Sequence, residues 1–220
     1  MEKKKNRMIA LIFCVMMMLL LAGCGNDGKQ AQKEAQRVEP MLSGITMETM
    51  TDETFPASFS AVDLTEQNGD LALKVTGYEE ELFDAVAITT LKAGDTIVAG
   101  GKEYAVENVE QNQNGIISVN GGEEQGGIDF ATDDDGGVYY VEGMDDAHTY
   151  ANLGTASLPL AATFVFIDNS DLDHPDQEYH AEAFRKILED DANSYGFEVN
   201  NTTVTVENRQ ITEIVRNYQP

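Results

Sequence analysis

From Phe55 onward the chain is cut into short apolar segments by turn residues, and this punctuation constrains the fold more than any other feature. The segments 57–64, 71–78, 85–91, 96–99, 103–111 and 116–120 are rich in β-branched and aromatic residues. Between them stand Gln67-Asn68-Gly69-Asp70, Lys92-Ala93-Gly94-Asp95, Gly100-Gly101 and Asn112-Gln113-Asn114-Gly115. Asn and Gly supply the positive φ that tight hairpins need, so the spacing predicts strands joined by turns. Glycine pairs at Gly121-Gly122, Gly126-Gly127 and Gly136-Gly137 interleave with further strand candidates at 128–131, 138–141, 157–160 and 163–167. The stretch 120–154 is the loosest, because acids and glycines outnumber apolar residues and no helical period is present.

Towards the end the period changes. Tyr179, Ala183, Phe184, Ile187 and Leu188 fall on one face of a 3.6-residue repeat and predict a helix over 176–194. Asp173, Pro175 and Asp176 serve as its start signals and Gly196 as its stop. Strands at 202–207 and 210–218 follow, joined by Asn208-Arg209 as a two-residue turn. The expected class is α+β, mainly β: a small antiparallel barrel or sandwich-like region, then a sheet with one C-terminal helix and a hairpin. Alternating helices are missing, which argues against the parallel α/β plan of solute receptors. Locally, Leu91 to Ile97 with Gly100-Gly101 and Tyr104-Ala105-Val106 is similar to the strand-turn-strand corner of small SH3-like and OB-like barrels.

The N-terminus reads as an address. Glu2-Lys3-Lys4-Lys5-Asn6-Arg7 is cationic, and Met8 to Ala22 is an unbroken apolar run, somewhat short to span a bilayer alone. Leu21-Ala22-Gly23-Cys24 resembles the lipobox of bacterial lipoproteins. That resemblance implies a signal peptide over 1–23, cleavage before Cys24, and a diacylglycerol on the Cys24 thiol. Acyl burial stabilises membrane association by about 0.8 kcal/mol per CH2, so two or more chains hold a soluble body at the bilayer. The implied localisation is the cell membrane, lipid-anchored, on the extracytoplasmic face. Residues 24–55 are polar and read as a flexible spacer, with a short helix conceivable over 29–38. The rest divides into a β-rich, barrel-like region at 56–122 and an α+β region at 123–220, as two domains or one.

Charge narrows the partners. The leader holds four of the 14 Lys+Arg and one of the 39 Asp+Glu, leaving 10 against 38 and a net charge of −28 outside it. A chain this acidic has no basic surface for phosphates, so nucleic acid is excluded as the main partner. Two Cys allow one bridge at most, and lipidation of Cys24 with loss of Cys14 leaves no thiol for catalysis or zinc.

Motifs for chemistry are sparse. No G-x-S-x-G, S-x-x-K, H-E-x-x-H, phosphate loop or dinucleotide fingerprint occurs. His148, His174 and His180 show no i, i+4 metal pair and read as surface or packing residues. Asp168, Asp171 and Asp173 have the ligand type of a Ca2+ loop without its spacing or terminal Glu, and Asp133-Asp134-Asp135 and Asp145-Asp146 are further acidic turns. Solvated turns and helix caps account for the same residues. Tyr139, Tyr140 and Tyr150, with Tyr78, form either an aromatic platform for sugars or peptides or the edge of a core. The expected function is a non-catalytic binding or accessory lipoprotein of the cell envelope, meeting a glycan, peptide or protein. The alternatives are a secreted hydrolase using paired carboxylates and a Ca2+-stabilised surface module.

Overall fold

The computed structural model describes residues 34–67, 69–132, 137–144, 147–190 and 196–219. In chain order the elements begin with β1 (Arg37–Val38), β2 (Glu53–Ser58), β3 (Leu64–Gln67) and β4 (Asp70–Glu80). Next come β5 (Leu82–Asp84), α1 (Ala85–Thr89), β6 (Thr96–Ala99), β7 (Lys102–Ala105), β8 (Val109–Gln111), β9 (Ile117–Val119), β10 (Ile128–Thr132) and β11 (Val138–Val141). The chain finishes with β12 (Tyr150–Asn169), β13 (Gln177–Tyr179), α2 (Ala181–Glu189), β14 (Thr202–Glu207) and β15 (Gln210–Asn217). The protein is α+β and mainly β, with a closed antiparallel-rich barrel, a C-terminal helix and a terminal hairpin.

Closure is the work of one long strand. The first half of β12 runs antiparallel to β4, from Tyr150↔Glu80 to Pro159↔Ala72. Its second half runs parallel to β15, from Leu160↔Ile211 to Asn169↔Asn217. The order β12-β15-β14-β2-β4 therefore returns to β12 and forms a ring. Pro159, which has no N–H to give a ladder, stands where β12 changes partner. The sequence predicts two strands at 157–160 and 163–167; they are one strand, because Ala161-Ala162 between them carries no turn residue and stays extended.

Inside the ring lie Phe55, Ala57, Leu73, Val75, Leu158, Val204, Val206, Ile211 and Ile214, all buried. α2 closes the barrel with Phe184 and Leu188, and Phe184 meets Phe59, Phe164, Phe166 and Phe197 at centroid distances of 5.2 to 6.3 Å. Each such side chain contributes about 1.5–3 kcal/mol on burial. The helix is shorter than the expected 176–194: residues 177–179 pair with β12 as β13, and His180, not Asp173 or Asp176, occupies the N-cap position. Pairing across the sheet edge outcompetes the helical period there, because Tyr179 packs on Phe166 at 5.9 Å from within a strand.

A second core is inserted into the β4–β12 pair. Phe83, Ile88, Ile97, Val119, Ile128 and Phe130 are buried between the five-stranded sheet β5-β11-β10-β9-β8 and the three-stranded sheet β1-β6-β7. The expected strand at 85–91 is instead α1. Asp84 caps it by accepting from the Ala87 N–H at 2.9 Å, and the apparent alternation of Ala-Val-Ala-Ile is only a short helix exposing Val86 and burying Ile88. The expected boundary between 122 and 123 falls inside one sheet, since β9 and β10 are neighbours.

The spacer expected over 24–55 does not extend through 35–55. β1 pairs in parallel with β6, fastened by Asp95, which accepts from the Gln36 and Lys92 N–H groups. Val38, Met47 and Met50 are buried in the cores. A polar composition concealed this, because three apolar side chains at wide spacing are enough to dock a segment with no period of its own. The signal peptide, Cys24 and the first part of the spacer lie outside the described residues.

Candidate functional site

Of the three aspartates expected for a cation, Asp168 is committed to other partners. Asp168, on β12, takes two hydrogen bonds from Arg216, Nη2 at 2.6 Å and Nε at 3.1 Å, and one from the Ser170 N–H at 3.0 Å. Arg216 is 3% exposed and stacks its guanidinium over Phe197 at 4.7 Å and Phe166 at 5.6 Å. Burial raises the Asp168 carboxyl, and the Arg216 and Ser170 hydrogen bonds more than offset it, holding the group below the usual carboxylate range. Asp171 and Asp173 sit on an exposed loop, where Asp171 accepts from the Asp173 N–H and pairs with His174 at 3.0 Å. Among the described residues no three His, Cys, Asp or Glu side chains gather as a metal would require. Asp133-Asp134-Asp135 and Asp145-Asp146 lie outside the described residues.

The tyrosines divide. Tyr139 is buried in the second core. Tyr140 stacks face to face on His148, 4.6 Å between centroids, so that ring face is already covered. The imidazole in turn joins Glu80 through Nδ1 at 2.6 Å. Tyr150 stands opposite Glu80 in the ladder, and burial together with the Glu80 charge raises its phenol above the ordinary range. Tyr140 and Tyr150 thus converge on Glu80, while Tyr139 does not join them.

Glu80 leads to a concave feature that the barrel itself creates. β2 and β4 pair only at Ala57↔Gly77 and Ser58↔Thr76 and then part. Beyond that point β2 is held by β14 alone and β4 by β12 alone. Pro56, at the parting, has no N–H to leave unpaired. The segment before β2 folds into the upper part of the gap: Met41 bridges Leu82, the Met47 N–H donates to the Leu153 carbonyl, and Gly77 leaves the space that the Met47 sulfur fills. What remains is a groove of about 290 Å3. Ile45, Met50, Phe55, Pro56 and Leu153 give it an apolar floor, and Glu53, Glu79 and Glu80 supply carboxylates at its rim. Ser43 donates to Glu79 through its N–H at 2.8 Å and its hydroxyl at 3.0 Å.

Comparison with protein-family models, curated proteins and solved structures returned no match. The groove's chemistry has to be read from its own residues.

Three glutamates line the groove, one more than the pair that acid-base cleavage would ask of it. A general acid must donate a proton, however, and here Glu79 accepts two hydrogen bonds while Glu80 is paired with His148. The arrangement instead suits attraction of a positive charge above an apolar surface. Glu53, Glu79 and Glu80 escape sequence reasoning because their partners are remote. The available signal was the run Glu79-Glu80-Glu81 at a strand end, where alternation sends neighbours to opposite faces. Glu81 is buried and accepts from the Gly100 N–H at 2.6 Å.

Proposed function

We propose that the chain is an exported lipoprotein, moored through Cys24 on the extracytoplasmic face of a bacterial cell membrane, and that it works there as a non-catalytic binding protein. The lipobox Leu21-Ala22-Gly23-Cys24 supports the mooring. The groove left where β2 and β4 part supports the binding, and it is the observation on which that reading rests: an apolar hollow with fixed hydrogen-bond acceptors on a rigid barrel.

Two measurements test the halves separately. Radiolabelled palmitate is expected to enter the wild-type chain and not Cys24→Ala, and the variant is expected to leave the sedimented membranes; equal sedimentation overturns the anchor. Thr54→Trp, at an exposed lining position, fills the groove and is expected to lose complementation of a deletion strain. Val86→Trp, exposed on α1, is expected to complement. Equal complementation by both overturns the groove as the working site.

A further inference from the structure

The geometry points to an occupant for the groove: an extended peptide segment that places a lysine or arginine side chain between Glu53 and Glu79, with an apolar residue next to it. This rests on the reading of the groove as the binding site.

Charge selects the side chain. The lining includes three carboxylates and no Lys or Arg, and Glu53 makes no ion pair among the described residues. The whole chain carries −25, so an anion meets repulsion both locally and at long range. Lysine and arginine combine an apolar stem with a charged head, which matches an apolar floor under a carboxylate rim. The volume, about 290 Å3, is at the bottom of the roughly 300–1,000 Å3 of small-molecule pockets and fits a group of side-chain size.

Backbone edges select a peptide over a free amine. In an antiparallel ladder successive residues direct their N–H and C=O to opposite sides. Glu53–Pro56 of β2 and Tyr78–Glu80 of β4 each have a strand on one side only, so their alternate backbone groups face the gap between them. Such edges are a template for an added extended chain. Met41 and Leu42, 46% and 48% exposed, directly precede the lining residue Ser43 and offer contact to the residue beside the cation. A free amine uses neither feature.

The test uses the full chain in detergent micelles, with Met50 methyl shifts and fluorescence anisotropy as readouts. The probes are an acetylated, amidated Thr-Lys-Leu-Thr peptide, the same peptide with Gln for Lys, and n-butylamine. The lysine peptide is expected to bind and shift the Met50 methyl. Glu53→Gln is expected to weaken it about three- to fivefold, the scale of one exposed ion pair. Glu53→Gln with Glu79→Gln is expected to weaken it more than tenfold at unchanged Tm. Equal binding of the Gln peptide, or indifference to both substitutions, overturns the cation while leaving the groove a binding site. Butylamine matching the peptide overturns the peptide. No Met50 shift with any probe overturns this inference and the groove reading together.

Discussion

Arg209 Nη1 lies 3.0 Å from the carbonyl oxygen of Met50 and 2.8 Å from that of Glu48, so the tip of the last hairpin grips the segment that carries Ile45 and Met50 into the groove's floor. Arg209 and Asn208 are both left-handed, at φ 60° and 50°, as a type I′ turn requires. Arginine in this conformation is strained, and its three donations to Glu48, Met50 and, through its N–H, Thr51 compensate. Arg209→Ala is expected to keep the strain and lose the grip, at a cost of about 1–3 kcal/mol. Arg209→Gly loses the grip and relieves the strain, and should cost about 1 kcal/mol less. Urea unfolding measures both, and hydrogen exchange of 43–50 should quicken in each.

Gly77 is needed for space, not for backbone freedom. A Cβ there would overlap the Met47 sulfur and stand 3.1 Å from the Phe55 ring. Gly77→Ala is expected to destabilise by about 1–3 kcal/mol, the range of overpacked cores. Met47→Ala alone should cost about 2–5 kcal/mol through the cavity it leaves. The pair together should cost less than the sum, which a double-mutant cycle in denaturant reads directly.

Asp168 and Arg216 make the stability acid-sensitive. Because the folded carboxyl lies below its unfolded value, its contribution is present above the ordinary carboxylate range and disappears as pH falls through the lowered folded value. Asp168→Asn leaves Arg216 buried without its counter-charge and should cost about 3–5 kcal/mol near pH 7. As pH falls through the lowered value of the folded carboxyl, the gap between variant and wild type should narrow. Thermal unfolding across pH 2–7 tests this; a constant gap contradicts it.

Tyr150 reports on Glu80 next to the groove. Its phenol is raised by burial and then by the Glu80 charge. Glu80→Gln removes the second cause, so Tyr150 should ionise at lower pH in that variant. Phenolate absorbance, taken as a difference against Tyr150→Phe in each background, isolates this one tyrosine.

Much of the fold is legible in the sequence where side chains alternate locally. Strands expected at 71–78, 96–99, 202–207 and 210–218, with the Asn208-Arg209 turn, follow from period and turn chemistry alone and are found at 70–80, 96–99, 202–207 and 210–217. Ring closure is not legible, since β12 has no local mark of which partner each half takes. The groove is legible only at its border. Tyr78 and Tyr150 stand out as aromatic residues on strands, but the three consecutive glutamates find their partners 36, 68 and 19 residues away, in Ser43, His148 and Gly100. Distances of that kind are set by topology, and no window along the chain contains them. Segment 35–55 hides for a related reason: its order comes from what it touches.

Residues 81–149 leave β4 at Glu80 and come back to β12 at Tyr150, which face each other on a single rung. The second core is therefore set into a hairpin like a graft on its stock, and β1 ties it a second time to the N-terminal segment by pairing with β6. The His148–Glu80 contact sits where the graft meets the ring, beside the groove's rim.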